Sequence, residues 1–155
     1  MTAAIASNRC IFSDLTAADP RRETPPRLRI LVAEDDEPNQ QVFRMMLERR
    51  GYSVRIVANG RQALAALDEE SFDLLLLDVR MPEMDGWQVV ESLRRGEGEN
   101  PGCGRLPVIA LTAMAQKSHR DRCMQAGMDE YLSKPLRAAE LYATLDRVLA
   151  RQGRN

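Results

Sequence analysis

Hydrophobic and polar positions along this chain alternate between two rhythms. Short, mostly apolar runs lie near residues 28–34, 53–58, 73–78, 107–111 and 129–132. Runs of this length, apolar on successive residues, read as strands buried on both faces of a parallel sheet. Between and after them, residues 38–50, 61–69, 86–95, 116–126 and 137–151 carry helical spacing. It is clearest in the last, where Leu141, Leu145, Val148 and Leu149 fall on one face. Gly51 and Gly127 follow the first and fourth helices, at the position where a left-handed residue ends a helix. Five strand–helix repeats predict an α/β fold, a single doubly wound five-stranded parallel sheet with right-handed crossovers. The expected strand order is 2-1-3-4-5, a flavodoxin-like (βα)5 arrangement.

In that arrangement ligands bind beyond the carboxyl ends of the strands, at the switch point between strands 1 and 3. The ends of those strands are acidic: Glu34 and Asp35 close the first, Asp78 the third. Thr112 closes the fourth, and Lys134 follows the fifth. The fold therefore gathers three carboxylates, a hydroxyl and an ammonium into one crevice. Three carboxylates in one crevice repel one another unless a cation neutralises them. Oxygen ligands of this kind suit a hard divalent ion such as Mg²⁺. A carboxylate can also act as a nucleophile on phosphorus, giving an aspartyl phosphate. Asp78 is placed for it, with Lys134 and Thr112 to stabilise charge on the transferred oxygens.

Composition narrows the field. The chain has 155 residues, 44% hydrophobic and 29% charged, with a formal net charge of −1. That balance offers no basic footprint for nucleic acid or an anionic membrane. No apolar run reaches the roughly 20 residues that span a bilayer. The start lacks the pattern of a secretory signal. Cys10, Cys103 and Cys123 are odd in number and without metal-like spacing, which favours a reduced, cytoplasmic setting. His119, the single histidine, lies in a polar stretch and reads as a solvated surface residue. Residues 1–26 end in Thr24-Pro25-Pro26-Arg27 and read as a flexible arm, followed by a compact domain over 27–151 and a tail at 152–155. Residues 96–105 read as a long Gly/Pro-rich loop. The fourth helix has little apolar surface and is a candidate moving part.

The motifs that carry this chemistry resemble one family closely. The run Ile30-Leu31-Val32-Ala33-Glu34-Asp35, then Leu74 to Gly86 around Asp78, then Val108 to Ala113, then Tyr131-Leu132-Ser133-Lys134-Pro135, looks like a receiver domain. These are the response-regulator modules of two-component signalling. The likeness spans roughly residues 28–150, and Ala33 to Gln40 looks most like the receivers of hybrid sensor kinases.

The resemblance implies roles at matching positions. Asp78 would be the phosphoacceptor. Asp35 would ligate Mg²⁺ directly (Mn²⁺ able to substitute), Glu34 through water, and the Arg80 backbone carbonyl would complete the protein ligands. Thr112 would be the switch hydroxyl, Lys134 would pair with the phosphoryl group, and the Lys134-Pro135 peptide would be cis. Tyr131 would be the switch aromatic. Counting from the strand places the acid pair at Glu34-Asp35, with Asp36 just outside it. Arg80 and Met114 would flank the path of hydrolytic water and slow loss of the phosphoryl group. Met81 reads as packing, and Pro82 and Gly86 as shaping the turn. The donor would be a histidine kinase or histidine phosphotransfer domain. The output surface would be helix 4, strand 5 and helix 5, meeting a downstream protein or a second copy, with no residues after position 155 for an output domain. The protein would then be a signalling phosphoacceptor rather than an enzyme, its chemistry limited to self-phosphotransfer and autodephosphorylation.

Rival readings leave marks that can be checked. A haloacid-dehalogenase-like phosphatase or phosphomutase needs a second Asp two residues after the nucleophile, where this chain has Arg80. A nucleotide or flavin binder needs a glycine-rich phosphate cradle after strand 1, where Glu34 to Glu37 would repel phosphates. A third reading is a docking module that is never phosphorylated; intact Asp78, Thr112 and Lys134 weigh against it.

Overall fold

The computed structural model describes residues 27–81, 83–99, 105–113 and 116–151. The expected arm at 1–26, the tail at 152–155, and the expectations for Pro82 and Met114 lie outside the described residues. Among the described residues, strands β1 (Arg29–Ala33), β2 (Ser53–Val57), β3 (Leu74–Asp78), β4 (Val108–Thr112) and β5 (Glu130–Ser133) alternate with helices. The helices are α1 (Glu37–Arg49), α2 (Gly60–Glu69), α3 (Gly86–Glu99), α4 (Lys117–Gln125) and α5 (Ala138–Arg151). Every strand pairing is parallel and the order is β2-β1-β3-β4-β5, the doubly wound sheet that the alternation predicts.

Successive side chains of a strand point to opposite faces, so an all-apolar strand feeds two cores. Leu31, Ala33, Leu75, Leu77, Val108 and Ala110 pack with Ala63 and Leu67 of α2, Val89, Val90 and Leu93 of α3, and Cys123 of α4. Ile30, Val32, Leu74, Leu76, Ile109 and Leu111 pack with Phe43 and Leu47 of α1 and with Leu141, Leu145, Val148 and Leu149 of α5. β3 and β4 are buried along their whole length, which fixes the positions of Asp78 and Thr112 at their ends.

Helix starts are built from short polar side chains. The Asp36 carboxylate accepts from Asn39 N, and Asn59 Oδ1 accepts from Gln62 N at 2.8 Å. Asp85 and Gln88 satisfy each other reciprocally: Gln88 N donates to Asp85 Oδ1 and Asp85 N to Gln88 Oε1, both at 3.1 Å, as in a capping box. Gly86, just inside that start, lies against the strand it follows. A Cβ there would come within 2.8 Å of the Asp78 carbonyl oxygen and 2.9 Å of Val79 Cα, so a larger residue would push the loop off Asp78.

The expected loop at 96–105 is corrected in part: α3 continues to Glu99. The reason is Glu97, whose carboxylate is buried and bonded twice. Its Oε1 accepts from Arg94 Nη1 at 2.9 Å and its Oε2 from Leu106 N at 2.6 Å, so the extra turn ties α3 to the entry of β4. These bonds outweigh the weak helix propensity of Gly96 and Gly98. Residues 100–104 lie outside the described residues.

Candidate functional site

The site stands on the C-terminal edge of the sheet, where the strands end in register. Asp78 is paired with Leu111, and Thr112 with Ser133 one step along. β1 runs out through Glu34, whose N–H donates to the Val57 carbonyl at 3.0 Å and whose own carbonyl accepts from Gln40 Nε2 at 2.6 Å. The backbone of Lys134 donates to the Thr112 carbonyl at 2.8 Å, and the Lys134-Pro135 peptide is cis.

Glu34, Asp35 and Asp78 come together: one carboxylate oxygen from each lies within 4.8 Å of the others. Glu34 is fully buried, Asp78 is 5% exposed and Asp35 faces solvent. Lys134 Nζ lies 2.8 Å from both Glu34 Oε1 and Asp78 Oδ2. Asp78 Oδ1 accepts from Arg80 N at 3.0 Å. Both oxygens of Asp78 are thus fixed, whereas neither carboxylate oxygen of Glu34 accepts an aligned hydrogen bond. Its contact with Lys134 is an ion pair at 2.8 Å.

That shortfall shows in protonation. Burial, followed by the neighbouring Asp78 carboxylate, pushes the Glu34 carboxyl up to about 7 against the pull of Lys134. Burial draws the Lys134 ammonium down, but Asp78 and Glu34 outweigh it and leave it raised, so Lys134 is charged throughout the neutral range. One ammonium among three acids leaves an excess of negative charge, part of it desolvated. An orphaned buried carboxylate beside two more oxygen donors is what a hard divalent cation fits. A cleft of about 210 Å³, lined by Asp35, Asp78, Val79, Arg80, Thr112, Ala113 and Lys134, opens over them.

Asp36 is outside this group and caps α1 instead. Arg80 is exposed and borders both that cleft and a neighbouring groove reaching Trp87 and Arg122. Met81 is half-buried against the core beneath. Tyr131 is half-buried, with the Arg120 guanidinium 5.1 Å over its ring.

One expectation is overturned. His119 is not a solvated surface residue: its Nε2 lies 2.9 Å from Thr112 Oγ1, and its ring meets Trp87 edge-on at 5.5 Å. The polar surroundings in sequence belong to the outer face of α4, while position 119 turns back to the strand end. The available signal was the spacing: seven residues past Thr112, in the first turn of the next helix, faces that strand end again.

Known proteins resemble this chain over most of its length. A family model described as the response regulator receiver domain matches residues 30–146. Sensor histidine kinase GacS of Pseudomonas protegens is 38% identical over 139 residues, covering 86% of this chain but 15% of the kinase. An uncharacterized 14.6 kDa protein of Leptolyngbya boryana is 39% identical over 119 residues, covering 77% of this chain and 88% of that one. Among solved structures, the receiver domain of sensor histidine kinase PA1611 from Pseudomonas aeruginosa superposes with a TM-score of 0.71 at 39% identity. That likeness covers 81% of this chain and 99% of the other, whose crystal structure has a magnesium ion coordinated in the active site cleft. With the sheet order, the strand-end acids and a match over most of its length in agreement, this chain belongs to the response regulator receiver domains of two-component signalling.

Proposed function

We propose that this receiver takes a phosphoryl group onto Asp78 from the phosphohistidine of a histidine kinase or histidine phosphotransfer domain. One observation carries the reading: Asp78 is a buried carboxylate held at both oxygens, beside two further acids and the ammonium of Lys134. In the transfer, a carboxylate oxygen of Asp78 forms the O–P bond as the P–N bond of the donor breaks. The electron pair leaves on the imidazole nitrogen. Lys134 neutralises charge on the transferred oxygens, and Thr112 supplies a hydroxyl donor once it turns toward them.

Glu34 and Asp35, with Asp78 and the Arg80 carbonyl, would hold Mg²⁺, or Mn²⁺ in its place. The ion supplies charge neutralisation for the acids and the incoming phosphoryl oxygens. The new charge on Asp78 then biases Thr112, Tyr131 and the α4–β5–α5 surface toward a second arrangement, which a downstream protein or a second copy reads. Apart from self-phosphotransfer and autodephosphorylation the chain does no chemistry of its own, and the odd cysteine count supports a reducing, cytoplasmic setting. Intact mass spectrometry after incubation with an acyl phosphate tests the reading. It predicts one added phosphoryl group in the native chain with Mg²⁺, and none with a chelator or in Asp78→Asn. Addition to Asp78→Asn at the native rate would overturn it.

A further inference from the structure

α4 is held to the rest of the molecule in an unusual way. Of its buried residues only Cys123 is apolar core, and its other grips are polar or cationic side chains laid on aromatic or hydroxyl partners. Arg120 lies over Tyr131, Arg122 Cζ is 4.3 Å over Trp87, and His119 reaches Thr112 while Trp87 steadies its ring. Thr112 is 4% exposed and His119 half-buried, so the contact is shielded from water on the Thr112 side.

We propose that His119 is a positioning residue, a latch that accepts the hydroxyl proton of Thr112 and thereby holds α4 against β4 until phosphorylation. A hydroxyl has one proton to give. While the hydroxyl donates that proton to the bare Nε2 of His119 it is not aimed at a phosphoryl oxygen on Asp78, so capture of Thr112 by the phosphoryl group breaks the bond and frees the first turn of α4. The same movement changes the edge contact on Trp87, the single tryptophan of the chain. The inference rests on Asp78 being the phosphoacceptor and adds to that reading a named tether that opposes switching.

The test compares the native chain with His119→Ala and His119→Gln, whose amide oxygen reaches about as far as Nε2. Beryllofluoride with Mg²⁺, a mimic of the phosphoryl group, is titrated in while Trp87 fluorescence is followed. His119→Ala is expected to saturate at about fivefold lower beryllofluoride, the worth of one net hydrogen bond, with His119→Gln near the native value. Long-range ¹⁵N NMR of the lone imidazole, in the free native chain at mildly alkaline pH, is expected to show the proton on Nδ1. Unchanged or weaker beryllofluoride binding in His119→Ala, or a proton on Nε2, would overturn the latch while leaving the phosphoacceptor reading intact. A native chain that takes up no beryllofluoride would overturn both.

Discussion

Acids cluster at both edges of the sheet, and the two edges treat them in opposite ways. At the N-terminal edge each acid is matched. Asp73 accepts from Arg29 N at 2.8 Å, and Glu70 pairs with Arg29 and Arg55, so that these bonds outweigh its burial and hold it below the ordinary carboxylate range. Asp129 receives Arg94, Arg105 and the Val108 N–H, and Glu97 receives Arg94 and the Leu106 N–H. At the C-terminal edge Glu34, Asp35 and Asp78 gather around one lysine. Acids that fasten strands are given arginines; the acids of the candidate site are left short of positive charge. The shortfall costs stability in the protein alone, and on the proposed function a cation and a phosphoryl group would put it to use.

Removing a charge should therefore act with opposite sign at the two edges. The largest effect is expected from Arg94→Ala, which takes the arginine from buried Glu97 and half-buried Asp129 at once; urea unfolding should show a loss of about 3 kcal/mol. Next comes Glu34. Its carboxyl titrates near 4.5 in the unfolded chain and about 7 in the folded one, so the folded state retains the proton between those values. Stability of the metal-free protein should fall as pH rises through that window and level off above about 7, by at most about 3 kcal/mol. Glu34→Gln should flatten the slope and be the more stable protein at pH above about 7. A native protein whose stability rises with pH across the window would contradict the contrast. The smallest effect should come from Arg55→Ala at the exposed rim of the matched edge, under about 1 kcal/mol and fading with added salt.

The sequence displayed the fold almost whole because both of its signals are local. Runs such as Leu74 to Leu77 must be buried on two faces, and Leu141, Leu145, Val148 and Leu149 declare a one-sided helix. The acid cluster was legible for the same reason: once strand ends and order are known, Glu34, Asp35 and Asp78 have one place to go. What escaped depends on partners distant in sequence. The last turn of α3 is bought by Glu97 bonding to Leu106, nine residues on, against the local preference of two glycines. His119 is read as surface from its neighbours, and only the path of the chain from β4 into α4 returns it to Thr112. The matched edge was unreadable too, since Arg94 finds Asp129 35 residues away.

The most direct measurement is calorimetric titration of Mg²⁺ into the native chain, Asp35→Asn and Glu34→Gln, at a pH near 7. A cluster short of positive charge predicts one site in the native chain, with protons released as the ion displaces them from Glu34, at least tenfold weaker binding in Asp35→Asn, and no such release in Glu34→Gln. Equal Mg²⁺ affinity in all three proteins, with no protons released, would contradict the claim that these carboxylates share a cation.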